Sequence, residues 1–158
     1  MEDLAKAATS VSTHRALVID DEFTIRLALR RFFTRMGWSV DEASNGESGY
    51  SLIVLDARQQ DVPPYDVIIS DLRMPGLNGI ELYDRVKVMA PQMLPHLIFS
   101  TGDIVSEEAA NFVRTSECLV IQKPFELSAL RQTIEEMIRS RAERLDRAAP
   151  TAERDTTA

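Results

Sequence analysis

Apolar residues along this chain follow two alternating rhythms. Five short runs are rich in branched apolar side chains: Ala16–Ile19, Trp38–Ala43, Tyr65–Ser70, Leu94–Ser100 and Cys118–Gln122. The first, third and fourth are nearly unbroken, as in strands buried on both faces of a parallel sheet. Between them the period lengthens to that of a helix. Ile25, Leu29, Phe32, Phe33 and Met36 repeat at helical spacing, as do Leu82, Val86 and Met89. Leu127, Leu130, Ile134, Met137 and Ile138 form a third such stripe. Ser44 with Glu47, and Asn78 with Glu81, match the pairing of a helix cap with its third residue. Gly37 reads as a helix stop.

Strands alternating with helices imply right-handed crossovers and a doubly wound α/β fold. The pattern predicts a (βα)5 domain with a five-stranded parallel sheet over residues 14–142. Residues 1–13 are expected to be a flexible N-terminus and residues 143–158 a disordered tail. The stretch EEMIRSRAERLDR (135–147) mixes its charges, which favours a solvated extension of the last helix.

Composition narrows the function. The chain has 158 residues, 44% of them hydrophobic and 27% charged, within the range of one ordinary soluble domain. At this length no room is expected for an attached kinase or DNA-binding domain. The net charge of −7 resides between residues 15 and 138, which hold 12 basic and 19 acidic groups. Such a surface repels nucleic acid, and no basic patch offsets it. Cys118, the single cysteine, has no internal disulfide partner, so a reducing, cytoplasmic setting is expected. No apolar run approaches the roughly 20 residues of a membrane span. The opening MEDLAKAATSVSTH lacks the form of a secretory signal.

Ligands of doubly wound sheets sit beyond the carboxyl ends of the strands. Asp20, Asp21 and Glu22 follow the first run, and Ser44 and Asn45 the second. Asp71 follows the third, Thr101, Gly102 and Asp103 the fourth, and Lys123 and Pro124 the fifth. Three clustered carboxylates repel one another and call for a cation. All-oxygen ligation favours Mg²⁺ or Mn²⁺. Lys123 and Thr101 would add charge and a hydrogen bond to a phosphate on that metal. A carboxylate there can act as nucleophile and form an aspartyl phosphate. Asp71 is the candidate, because it ends the run VIIS and a PG turn follows. An Asp after one strand is commonly a turn or cap residue. Four strand ends acting together weigh against that reading.

These motifs resemble those of response-regulator receiver domains, notably the stand-alone chemotaxis-regulator type. They are VIDDE at 18–22, SDLRMPGLNG at 70–79, STGD at 100–103 and QKPF at 122–125. IFSTGD through QKPF is also similar to receivers of hybrid histidine kinases. The resemblance implies a flavodoxin-like receiver fold with Asp71 as phosphoacceptor. It implies Mg²⁺ held by Asp21, Asp71 and the backbone carbonyl of Arg73, with Asp20 helping through a water. Thr101 would swing toward the phosphoryl group, Lys123 would pair with it, and the bond before Pro124 would be cis. The donor would be a histidine kinase or histidine phosphotransfer protein, with acetyl phosphate as a substitute. The output would be phosphorylation-dependent contact with an unidentified downstream protein, through the fourth and fifth helices and fifth strand.

Departures from the family pattern qualify this. Val120 stands where an aromatic switch residue is usual, so Thr101 and the fourth loop are expected to move with little response from Val120. Arg73 and Asp103 flank the site, and a pair between them would screen the phosphoryl group from water and lengthen its lifetime. Two exposed charges worth little are the plainer reading. A relay intermediate or a detached hybrid-kinase receiver are the alternative roles. A phosphatase would want an acid–base Asp two residues after the nucleophile, where Arg73 stands. A flavin site would want a phosphate loop after the first strand, and none is present.

Overall fold

A computed structural model describes residues 14–59, 65–102 and 106–148. Its sheet joins β1 (Arg15–Ile19), β2 (Ser39–Ala43), β3 (Val67–Asp71), β4 (Leu97–Thr101) and β5 (Leu119–Gln122). All neighbours are parallel, in the order β2-β1-β3-β4-β5. The helices are α1 (Phe23–Arg35), α2 (Gly46–Gln59), α3 (Gly79–Met89), α4 (Glu107–Thr115) and α5 (Leu127–Ala148). The sheet and α1–α4 belong to one compact unit ending at Pro124, and α5 to a second beginning at Phe125. The doubly wound (βα)5 class read from the sequence is the observed one.

The unbroken apolar runs became the buried strands. β3 and β4 are buried at every position, and β1 at all but Arg15. Side chains alternate between the two faces. Leu17, Ile19, Ile68 and Phe99 share a core with Ile53 of α2, Leu82 and Val86 of α3, and Phe112 of α4. In α1, Leu29 and Phe33 are the buried positions of its apolar stripe.

The end of α1 is set by Gly37, at φ 82°. Its N–H donates to the Thr34 carbonyl, and that of Trp38 to the Phe33 carbonyl. This double bond satisfies two carbonyls the helix would leave open. The Trp38 ring then lies 5.3 Å from that of Phe33 and stacks on the His14 ring at 4.8 Å. At the start of α3, Asn78 accepts from the Glu81 N–H, as its cap spacing predicts.

Several expectations need correction. Leu94–His96 belongs to a 3-10 helix, Pro91–His96, not to the fourth strand. Pro95 supplies no N–H for a ladder in the sheet interior. The third and fourth strands extend one residue beyond expectation, so Asp71 and Thr101 are their last residues. The α2 cap is Asn45, whose Oδ1 accepts from the Ser48 N–H at 2.8 Å, one position beyond Ser44. Met89, on the predicted core stripe, is 45% exposed at the end of α3. Residues 143–148, expected in a disordered tail, continue α5 as the charge pattern of 135–147 suggested. Residues 1–13 and 149–158 lie outside the described residues. Within α5, Leu130 and Ile134 are buried one turn apart, and Arg131 pairs with Glu135 on an exposed side.

Two glycines separate two costs. A Cβ at Gly37 meets no atom within 4 Å, so Gly37→Ala carries only the left-handed backbone penalty, about 1–2 kcal/mol. A Cβ at Gly79 would lie 2.7 Å from the Leu72 Cα and 2.8 Å from the Asp71 carbonyl oxygen, atoms that cannot turn aside. Urea unfolding should therefore show Gly79→Ala losing more, up to about 3 kcal/mol. Cys118 offers a second test. Burial, reinforced by Glu117, pushes its thiol up to about 11 from an ordinary 9.0. The folded thiol keeps its proton where the unfolded one ionises, so stability falls as pH rises above 9. At pH 8.5, iodoacetamide should label the native thiol about tenfold more slowly than the unfolded one, the lost thiolate outweighing its greater nucleophilicity.

Candidate functional site

The strand order reverses between β1 and β3: the chain leaves β1 for β2 on one side, then crosses to β3 on the other. The crevice beyond these two carboxyl ends is where such sheets bind ligands. Asp20 stands one residue past β1, and Asp71 ends β3. Both are buried, whereas Asp21 is exposed. One carboxylate oxygen from each of the three lies within 4.8 Å of the others.

Backbone bonds fix these positions by extending the ladder past each strand. Asp20 N–H donates to the Ala43 carbonyl at 3.1 Å, Leu72 N–H to Ser100 at 2.8 Å, and Lys123 N–H to Thr101 at 2.8 Å. The functional side chains therefore stand on the sheet itself, not on loose loops. Gly79 adds to this by packing the first residue of α3 against the Asp71–Leu72 backbone.

Lys123 is the electrostatic centre. Its Nζ donates to Asp20 Oδ2 at 3.0 Å and lies 3.4 Å from Asp71 Oδ2. Asp20 Oδ1 accepts from the Glu22 N–H at 2.9 Å, and Asp71 Oδ1 from the Arg73 N–H at 3.3 Å. Burial raises the Asp71 carboxyl above its ordinary range; Lys123 opposes this and Asp20 reinforces it. Burial alone would lower the Lys123 ammonium, but its hydrogen bond and charge interaction with Asp20, aided by Asp71, raise it. The ammonium thus stays charged beside two acids. Three carboxylates against one ammonium leave the pocket short of positive charge. Hard oxygen donors at this spacing fit a divalent cation of the Mg²⁺ or Mn²⁺ kind.

Asp20, Asp21, Asp71, Thr101 and Lys123 meet at one sheet edge. Thr101 is buried there at the end of β4. The Lys123–Pro124 peptide bond is cis. Gly102 is exposed beside Thr101. Val120 is half-buried on β5, in register with Phe99. Asp103 lies outside the described residues, so its pairing with Arg73 is not on view. The Arg73 Nη2 donates to Ser106 Oγ at 2.9 Å.

Two residues escaped the sequence reading. Arg26 of α1 donates to the Asp20 carbonyl at 2.8 Å and lies 3.8 Å from Glu42 of β2, clamping the turn that carries the acids. A contact to a backbone carbonyl leaves no mark in side-chain spacing. Ser106 caps α4, accepting from the Ala109 N–H at 3.2 Å. Its signal was available, because Glu107 and Glu108 follow it as a helix start favours.

Known proteins are similar to this chain in sequence and fold. The chain is 26% identical over 126 residues to sporulation initiation phosphotransferase F of Bacillus subtilis (strain 168), covering 78% of this chain and 93% of that one. It is 30% identical over 125 residues to response regulator MprA of Mycolicibacterium vanbaalenii, covering 79% of this chain but spanning about 50% of that relative's length. A CheY-like receiver domain protein from Methanospirillum hungatei JF-1 superposes with a TM-score of 0.70 at 21% identity, covering 84% of this chain and 99% of that one, a likeness of fold. Residues 16–135 match the family model of the response regulator receiver domain, and the chain belongs to that family.

Proposed function

We propose that this chain is a single-domain response regulator that accepts a phosphoryl group on Asp71 and signals through phosphorylation-dependent protein–protein contacts. Receiver domains are phosphoacceptors that work with histidine kinases or histidine phosphotransfer proteins, and bind Mg²⁺ in an acidic pocket. The observation that carries the reading is Lys123 bridging Asp20 and Asp71 at the switch point of the sheet.

In this reading an Asp71 carboxylate oxygen attacks phosphorus. The phosphorus–nitrogen bond of a phosphohistidine breaks, and the imidazole leaves with a proton; with acetyl phosphate, acetate leaves. Lys123 neutralises a phosphoryl oxygen and Thr101 supplies a hydrogen bond, so positioning and charge carry the reaction. Asp21, Asp71 and the Arg73 carbonyl, with Asp20 through a water, would hold Mg²⁺ or Mn²⁺. When bound, that ion would supply the positive charge the pocket lacks. We assign Arg73 and Asp103 to the lifetime of the phosphoryl group. Arg73 also stands where a phosphatase would place its acid–base Asp, which supports an acceptor over a turnover enzyme.

The cytoplasm is the proposed setting, with no direct contact to nucleic acid or membrane. Among the described residues no helix is long and apolar enough to cross a membrane. A relay intermediate is the second reading, favoured by likeness to a protein named as a phosphotransferase across 93% of that protein's length. Transfer of labelled phosphate from this chain onto a histidine phosphotransfer protein would select the relay.

Acetyl phosphate with Mg²⁺ should add about 80 Da, one phosphoryl group, to the intact mass. Asp71→Asn should abolish the adduct, and an adduct retained on that variant would overturn the assignment. Lys123→Ala should slow adduct formation by about 100-fold, read by the same time course, because one charge-stabilising donor is lost.

A further inference from the structure

Arg73 touches two things at once. Its backbone N–H lies 3.3 Å from Asp71 Oδ1, and its guanidinium donates to Ser106 Oγ at 2.9 Å. That hydroxyl is the side-chain cap of α4, and the Ser106 carbonyl accepts from the Ala110 N–H at 3.0 Å. One exposed side chain thus spans from the acceptor loop to the first turn of α4.

The helix it reaches is lightly held. Of the nine residues of α4, Ala109 and Phe112 are the buried ones. A cleft of about 350 Å³ opens between the loop after Asp71, including Met74 and Pro75, and Glu108 and Ala109 of the first turn. The guanidinium also sits at the positive end of the helix dipole, where a cation is disfavoured. Glu107 and Glu108 offset this in the first turn.

We propose that Arg73 latches the N-terminus of α4 to the acceptor loop, and that phosphorylation of Asp71 releases it. The proposal rests on Asp71 being the phosphoacceptor. A phosphoryl group brings a charge of about −1.5 to −2 and three acceptor oxygens to a site two residues from Arg73. The planar guanidinium gains more from that charged, bidentate acceptor than from the neutral Ser106 hydroxyl. Ser106 then loses its tie to the loop, and its cap bond to Ala109 opens more often. The first turn of α4 loosens, and the guanidinium covers the phosphoryl group. This gives α4 a coupling that does not need an aromatic side chain at Val120.

Amide hydrogen exchange over residues 106–115 tests this, with intact mass read on the same sample. Acetyl phosphate plus Mg²⁺ should speed exchange at Ala109 and Ala110 by about tenfold in the parent protein, the order expected when a local restraint is lost. Arg73→Ala should show the faster exchange before any phosphate is added. Ser106→Asp keeps the cap and gives the guanidinium a charged partner, so its exchange should stay slow at an equal adduct fraction. Unchanged protection in unphosphorylated Arg73→Ala would overturn the latch itself. Full adduct on the parent protein with no change at Ala109 and Ala110 would overturn the release. Absence of any adduct would overturn the phosphoacceptor reading and the release step together, while the Arg73→Ala comparison still decides the latch.

Discussion

Asp20 and Asp71 share one ammonium, and the chemistry of the molecule follows from that imbalance. Both acids are buried, and Lys123 lies 3.0 and 3.4 Å from them. At such separations a pair of unit charges interacts by about 5 kcal/mol at the effective dielectric of a protein surface. One cation can hold two acids together, but it leaves Asp21 and half of the buried charge unanswered. A lone anionic ligand would be repelled here. Asp20, Asp21 and Asp71 would hold a divalent cation here, which would supply the positive charge that the proposed phosphoryl acceptance needs beside Lys123. Burial raising the Asp71 carboxyl reflects the same shortage.

This arrangement depends on a parallel sheet. Lys123 and Asp20 are 103 residues apart in sequence. Only a fold that returns every strand in the same direction delivers five carboxyl ends to one edge. The ladder bonds that run past β1, β3 and β5 then make the edge rigid, and the Arg26 clamp on the Asp20 carbonyl secures the turn between β1 and α1. The close approach of Gly79 to Leu72 does the same for the loop that carries Arg73. Precision at the site is thus a property of the backbone before it is one of the side chains.

That division explains what was legible in the sequence. Asp20, Asp71, Thr101 and Lys123 were readable because each ends or follows an apolar run, and such runs alternating with helical stripes point to the strands of a parallel sheet. Gly37 and Asn78 were readable because their roles are local. Arg26 and the Arg73–Ser106 bond were not, since one partner is a backbone carbonyl and the other lies 33 residues away. Leu94–His96 misled because apolar character was weighed ahead of Pro95. The fourth helix follows from the five strand–helix pairs but shows no stripe of its own, because its buried face is just Ala109 and Phe112, too few positions to display a period.

The same thin face makes α4 asymmetric. Phe112 meets Phe99 and Tyr83 edge-on, each at 5.2 Å, and the Tyr83 hydroxyl donates to the Ser116 carbonyl at 2.9 Å. Burial raises the Tyr83 phenol, so its proton stays available for that bond. Aromatic volume therefore lies inside, between α3, β4 and α4, while β5 carries the smaller Val120 in register with Phe99. The carboxyl half of the helix is pinned by packing that water cannot replace. Its amino half is seated by the small Ala109 and tied by polar bonds, among them the exposed one from Arg73 to Ser106, which a stronger ligand for the guanidinium can exchange. In the proposed latch, a helix fixed at one end and exchangeably tied at the other would pivot about the fixed end, the aromatic cluster defining the axis and the acceptor loop the position.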